Sequence, residues 1–407
     1  MTAFKDAALE AETVRYFTED AARNDPYPFY KRLRETAPVY YSPTMDMWIA
    51  SSYEAVNRVL QSDLSYTPRS HHAFDESSVT GSTRKLLYTT MFLFLNPPEH
   101  TRYRNFVKKT LSGTNSELWR PAIARWIDQL QEKLAGERQF DFVSRIGHPI
   151  PFGVICDVIG LPYEDVPMLR RFVRGFLALF APDVSPEADV AADREFAEFG
   201  DYLRPHLEDR LAGRVQRDDV FAELIGFMQT DELKFEQVGL LMLMLLVGGH
   251  ETTGGLLGSA VYHLLCNRDQ WEALVADPEL ANQAVEETLR FETPARQLQP
   301  KFLNRDLELQ GVTIPQGQRV IPILAAAHRD PEKFPDPDRF DIHRNAKLNI
   351  AFGLGRHFCI GASFARVEGQ EFLKGFPQRF PKIRLAGDVA WEPGIMLRGP
   401  SRLPLQI

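Results

Sequence analysis

The sequence predicts a mainly α fold with small β-sheets, built as a single domain over residues 1–407, on three observations. Helical patterning dominates the chain. Strand-like runs are short and confined to Val39–Ser51, to the stretch Leu307–Pro322 and to the chain after Leu385. No linker rich in Gly, Ser or Pro divides the sequence, and it holds no internal repeat or low-complexity tract. Apolar residues at 44% are ample for a sizeable core, and charged residues at 25% are usual for a soluble protein.

Taken in order, Tyr27–Glu35 opens with prolines and continues as a first helix. Val39–Ser51, with Tyr40, Tyr41, Trp48 and Ile49, reads as a short hairpin, followed by a helix at Tyr53–Gln61. Thr67–Thr83 is polar, with paired histidines and several serines, and is expected to be a mobile loop. Helices are expected at Glu99–Leu111, Glu117–Leu134, Pro151–Ile159, Pro162–Leu179, Val190–Ala212 and Asp219–Gln229. A long one should span Phe235–Cys266 and another Glu279–Phe291. Leu307–Leu309, Gly311–Pro315 and Arg319–Pro322 then read as strands with tight turns.

The formal net charge of -8 argues against general nucleic-acid binding, which calls for a basic surface. Cys156, Cys266 and Cys359 are odd in number and scattered, which suits a reducing cytoplasm better than a disulfide framework. The N-terminus has no apolar signal-peptide core. The longest apolar run, Val238–Val247, is interrupted at Gly239 and is too short to cross a bilayer, so it is expected to be a buried helix. A cytoplasmic protein without a membrane anchor is the expectation.

Four segments carry candidate chemistry. Cys359 lies in Phe352-Gly353-Leu354-Gly355-Arg356-His357-Phe358-Cys359-Ile360-Gly361, where glycines allow a tight turn around the sulfur. The start of the following helix would turn amide N–H groups towards a thiolate, which can ligate haem iron. On spacing alone, a structural cysteine in a glycine-rich turn accounts for the string equally well. In the long helix, Val247-Gly248-Gly249-His250-Glu251-Thr252-Thr253 sets polar residues and a Gly pair into an otherwise apolar run. That is either a kinked core helix whose threonines bond back to carbonyls, or one widened for a small ligand, with an acid and an alcohol placed to pass protons. Glu287-Thr288-Leu289-Arg290 alone reads as a surface ion pair. His100 and Arg104, in Asn96-Pro97-Pro98-Glu99-His100-Thr101-Arg102-Tyr103-Arg104, share a helix face.

Together these segments resemble the cytochrome P-450 family, and the resemblance covers nearly the whole chain. The cysteine string matches the family's Phe-Gly-x-Gly-x-His-x-Cys-x-Gly loop at every defining position. The resemblance implies a triangular-prism fold with haem b between the long helix near Gly249 and the helix after Cys359. It makes Cys359 the axial thiolate, with Phe352 and Gly353 in the haem loop. It assigns Thr252 to hydrogen-bonding bound dioxygen and Glu251 to admitting protons from solvent. It gives His100, Arg104 and His357 to the haem propionates, with Lys301 where the family commonly has an arginine. Gly248 stands where alanine is usual, and Asn96 where aspartate is usual. Glu287, Arg290 and Arg339 become a buried network bracing the haem core.

The implied reaction is reductive activation of O2, one oxygen atom entering an organic substrate and the other leaving as water. No flavin or nicotinamide fingerprint is present. The expected electron source is therefore NAD(P)H, through a ferredoxin and its reductase, docking on Arg102, Lys108, Lys109 and Arg356. Pocket walls expected by resemblance bring Leu87, Phe92, Phe94, Phe176, Leu243, Gly248, Leu298 and Met396, which suit an apolar or aromatic small molecule, free or carrier-tethered. Natural-product tailoring or small-molecule catabolism by a monomer fits best. The alternatives are a peroxygenase fed by H2O2, which usually lacks the Glu251–Thr252 pair, and a haem-based sensor or electron carrier, which needs a second axial ligand for which His250, expected on the helix exterior, is the only nearby candidate.

Overall fold

The computed structural model describes residues 6–64, 81–111, 113–179 and 185–407. Most of the expected loop Thr67–Thr83 lies outside these residues, but its end does not: Ser82–Thr90 is a helix.

Local chemistry sets several helix ends. Ser52, Ser185 and Asp219 each accept a backbone N–H from the first turn that follows, so helices start at Tyr53, Pro186 and Val220. Gly160, at φ 80°, ends the helix Pro149–Ile159. The long helix Phe235–Cys266 matches its expected bounds. It is apolar on all sides because other helices surround it, including Pro149–Ile159, Val220–Gln229 and Ala281–Phe291. It is the one helix among the described residues long and apolar enough to cross a membrane, and most of it is buried inside the fold. Each fully enclosed leucine, such as Leu240, Leu241 or Leu246, contributes roughly 2 kcal/mol by leaving water.

The expected hairpin forms between Val39–Ser42 and Met47–Ala50. It joins late strands in a four-stranded sheet ordered Val39–Ser42, Met47–Ala50, Arg319–Pro322, Lys301–Phe302. Met47–Ala50 and Arg319–Pro322 run parallel, with Trp48 opposite Val320. This sheet brings Lys301 beside the helix Tyr53–Gln61. A three-stranded sheet pairs Pro404–Gln406 with Gln139–Asp141 and Arg384–Leu385. The main core surrounds the long helix and the helix Ala362–Arg379, and a second cluster joins the sheet to Tyr53–Gln61. The cysteine loop lies between these two clusters.

Candidate active site

The loop before Ala362–Arg379 folds back on itself. The Cys359 N–H donates to the Phe352 carbonyl at 2.9 Å. Gly353 and Gly355 adopt φ of 68° and 70°, left-handed values that favour glycine. A Cβ on Gly355 would lie 3.0 Å from the Leu60 carbonyl oxygen, and one on Gly353 3.4 Å from Leu298. Both glycines are thus demanded by the backbone path. Cys359 is solvent-accessible, yet its surroundings are deep in the protein. Burial pushes its thiol up, and the Gly361 N–H, Arg104 and Arg366 only partly offset this. The residue is thus accessible while set among protein groups that penalise its charge. A buried thiol keeps its proton until a metal cation displaces it.

Beside the loop, cationic and imidazole groups converge. His100 and His357 rings are 4.1 Å apart. Arg104 Nη2 donates to the Phe358 carbonyl at 2.6 Å, and Arg356 pairs with Asp63 at 2.7 Å. Burial, then Arg104 and Arg356, lower His100 to about 4. Burial, then His100, Lys301 and Arg104, lower His357 to about 2. Both ring nitrogens of His100 are buried without a hydrogen bond among the described residues. A cleft of about 460 Å³ lies here, lined in part by His100, Arg104, Lys108 and Arg356. Lys301 is 1% exposed and donates to the Val59 and Leu60 carbonyls at 2.8 and 3.1 Å. Burial lowers it to about 7, with Asp63 opposing. The set suits an anion, which would satisfy His100 and stabilise its neighbours' charge.

In the long helix, Gly248 is exposed although its surroundings are core, and a Cβ there would meet nothing within 4 Å. A Cβ on Gly249 would lie 2.7 Å from Ile155, so this glycine lets the helix Pro149–Ile159 approach closely. Thr252 Oγ1 donates to the Gly248 carbonyl at 2.9 Å, the back-bonding expected of a mid-helix threonine. Glu251 is partly buried. Burial pushes its carboxyl up, but His250, His148 and Arg170 more than offset this and leave it below its ordinary value. His250 is 2% exposed and packs on the Phe152 ring, with centroids 4.5 Å apart.

The Glu287–Arg290 pair is fully buried and bidentate, with both contacts at 2.7 Å. It is not a surface pair. The expected third member needs correction. The Arg339 side chain is 65% exposed, with Asp341 at 3.9 Å. Its carbonyl, not its guanidinium, meets Arg290, at 3.1 Å. The turn sends Phe340 inward, so Arg339 points to solvent. Arg344 takes the place expected for Arg339, its Nε 3.4 Å from Glu287 Oε1. No fixed spacing marked Arg344. His148, next to Pro149 at a helix start, was likewise missed.

Of the expected pocket residues, Phe176 and Leu243 line one small gap with Thr83, Phe172 and Glu195. Leu87, Phe92 and Phe94 lie in the main core. Leu298 packs on Gly353, and Met396 Sδ accepts from Gln299 at 3.3 Å.

A thiol in a glycine loop beside converging cationic and imidazole groups is compatible with a haem-thiolate type of site, the type that the chain's relatives carry. The cytochrome P-450 family profile matches residues 198–383. Cytochrome P-450 monooxygenase PikC of Streptomyces venezuelae is 33% identical, covering 94% of this chain and 91% of that protein. Polyketide biosynthesis cytochrome P-450 PksS of Bacillus subtilis is 28% identical over 94% of this chain and 96% of its own length. The structure of P450BioI in complex with acyl carrier protein ligated to hexadec-9Z-enoic acid superposes with a TM-score of 0.86 at 28% identity, covering 95% of this chain and 99% of that one. The chain belongs to the cytochrome P-450 family. It is a monooxygenase whose family cofactor is haem held by a cysteine thiolate. The residues present fit that group: Cys359 is accessible in its glycine loop, Gly248 leaves space, and among the described residues the buried nitrogens of His100 have no hydrogen-bond partner.

Proposed function

We propose that Cys359 is the thiolate that holds the haem, and that His100, Arg104 and His357 bind its propionates, with Lys301 as a further cation. The observation that carries this reading is an accessible Cys359 in a loop closed by its N–H bond to Phe352, beside a buried His100 whose ring nitrogens have no hydrogen bond among the described residues. Phe352 and Gly353 shape the surrounding walls, while Gly249 serves the close approach of Ile155. When bound, the haem supplies the activation of O2 and the oxidation of substrate.

The chain's own residues provide proton handling and shape. Thr252 donates to Gly248, which leaves its oxygen as an acceptor towards the open side of the helix. Glu251, next to it and held below the ordinary carboxylate range by His250, His148 and Arg170 despite its burial, takes up and passes on protons. Phe176 and Leu243, with Leu87, Phe92, Phe94, Leu298 and Met396 on neighbouring segments, favour an apolar small molecule. A role in natural-product biosynthesis is supported by PksS, whose name places it in polyketide biosynthesis. The carrier-bound ligand of P450BioI supports a carrier-tethered substrate as well as a free one. We place the chain in the cytoplasm as one domain acting as a monomer.

Two electrons per turnover come from NAD(P)H through a ferredoxin and its reductase. Lys108, Lys109, Arg102 and Arg356 form the docking face on an otherwise acidic protein. The test is reconstitution of the haem-loaded enzyme with ferredoxin, reductase and candidate apolar substrates. Substrate-dependent nicotinamide consumption should appear, and reversing the charges of Lys108 and Arg356 should slow reduction and flatten its salt dependence. Turnover with H2O2 alone and none with ferredoxin would favour the peroxygenase instead. Unchanged reduction in the charge-reversed protein would move the dock elsewhere.

A further inference from the structure

Both ring nitrogens of His250 face acceptors. Nδ1 lies 2.7 Å from the Leu246 carbonyl oxygen, and Nε2 lies 3.0 Å from Glu251 Oε1. A carbonyl and a carboxylate can only accept, and a neutral imidazole carries one N–H. A neutral His250 facing an ionised Glu251 would therefore leave two acceptors opposed at 3.0 Å. The geometry requires one more proton on the pair. His148 completes the cluster, since ligand-type atoms of His148, His250 and Glu251 all lie within 4.8 Å of one another, a gap one water can bridge. His148 is half-buried at the head of Pro149–Ile159, and its ring stands 6.3 Å from that of His250.

We propose that His250 stores a proton for Glu251 and that His148 reloads it, so that the three side chains form a charged proton reservoir behind Thr252. This deepens, and rests on, the reading of Glu251 as the group that admits protons. Delivery moves the Nε2 proton of His250 to Glu251 Oε1. His250 is then neutral, with Nδ1–H still on Leu246, and Glu251 is a carboxylic acid. Glu251 releases that proton on the Thr252 side and returns to carboxylate. Nε2 takes a new proton through His148 from solvent. No electron moves, and the cluster returns to its starting charge.

The surroundings suit this cycle. Phe152 covers His250, which removes competing water. The other charged groups near the cluster are Arg170 and Glu392 by Glu251, and Asp141 by His148. Burial raises Glu251 but His250, His148 and Arg170 bring it below its ordinary value, in keeping with a carboxylate that accepts from His250 Nε2 at 3.0 Å. The alternative is a core histidine that merely bonds back to Leu246. That role needs only Nδ1–H and gives no reason for Nε2 to face a carboxylate.

The test uses haem-loaded protein with 15N-labelled histidine in its diamagnetic ferrous carbonyl form. Ring-nitrogen NMR of 10 histidines is tractable, and the His250 signals are assigned by their loss in His250→Gln. Both His250 nitrogens should carry protons at neutral pH, and Glu251→Gln should remove one. Glutamine at 250 can still donate to Glu251 but stores no exchangeable excess proton. His250→Gln should therefore lower product per nicotinamide consumed by about tenfold, with peroxide making up the difference and a larger solvent isotope effect. His148→Phe should do the same more weakly while His250 keeps both protons. A single N–H on His250 in the wild type would overturn the proposal. So would a fully coupled His250→Gln beside an uncoupled Glu251→Gln, which leaves the role of Glu251 standing. A coupled Glu251→Gln would remove that role as well.

Discussion

Replacing Glu287 with alanine strips Arg290 of its only carboxylate partner among the described residues, at a site where both side chains are 0% exposed. Glu287 also accepts the Asp341 N–H at 2.8 Å and Arg344 Nε at 3.4 Å. Arg290 keeps the His328, Pro337 and Arg339 carbonyls, at 3.0, 2.8 and 3.1 Å. Those neutral acceptors do not balance its charge. Breaking one half of a buried pair costs on the order of 3–5 kcal/mol. Arg344→Ala removes bonds to the Asp336 and Arg339 carbonyls, at 2.9 and 3.2 Å, and the longer Glu287 contact. Its side chain is 11% exposed, so the cost is roughly 2 kcal/mol. Arg339→Ala keeps the carbonyl that Arg290 uses and loses a side chain that is 65% exposed, for a change within about 0.5 kcal/mol. The assay is haem content after purification together with the guanidinium midpoint of the loaded protein. Since a bound cofactor breaks two-state behaviour, the rank order decides. Glu287→Ala should be worst, Arg344→Ala intermediate and Arg339→Ala near wild type. Arg339→Ala as damaging as Glu287→Ala, with Arg344→Ala normal, would refute the assignment.

Three further outcomes are expected. Gly248→Ala should fold normally and raise helix stability by up to about 1 kcal/mol, because nothing lies within 4 Å of the new Cβ, while Gly249→Ala should cost about 1–3 kcal/mol against Ile155; thermal unfolding of the two variants checks this. His328 is 0% exposed, its Nε2 accepts the Ile350 N–H at 3.0 Å, and burial, then Arg290 and Arg329, lower it to about 3. The unfolded chain protonates this residue near 6.5 and the folded one does not, so stability should fall as pH drops from about 6.5 towards 3, and His328→Asn should show a shallower acid slope in denaturant titrations. Thr252→Ala loses the hydroxyl held on Gly248 and should divert electrons to hydrogen peroxide; stoichiometric coupling of nicotinamide to product in this variant would remove its role.

Where local chemistry decides, the sequence was legible. Phe235–Cys266 reads correctly because its apolar run is long, and Tyr53–Gln61 and Val220–Gln229 because Ser52 and Asp219 cap them. The cysteine loop is readable because Gly353 and Gly355 are required by φ. Ala7–Thr18 and Arg268–Ala276 went unread, although both form helices. Ala7–Thr18 did carry a local signal, the Asp6 carboxylate that accepts from the Ala8 and Leu9 N–H groups, whereas Arg268–Ala276 has no side-chain cap and gains its face from packing. Gly249 was expected on the haem side, and the structure puts its missing Cβ against Ile155, a contact set by how two helices cross. The Arg344 substitution for Arg339 has the same origin. Both arginines flank one turn, and tertiary packing decides which enters the core. His148 carries no local signature at all. Its meaning lies in its distance from His250 and Glu251, residues about a hundred positions away.

The most direct test of the account is the optical spectrum of the reduced, carbon-monoxide-bound protein, taken for the wild type and for Cys359→His. The wild type should show the red-shifted Soret band of a thiolate-ligated haem, and the variant should bind haem without that band. A Cys359→His protein that keeps the thiolate-type band, or a wild type that binds haem and lacks it, would contradict the assignment of Cys359 as the haem ligand.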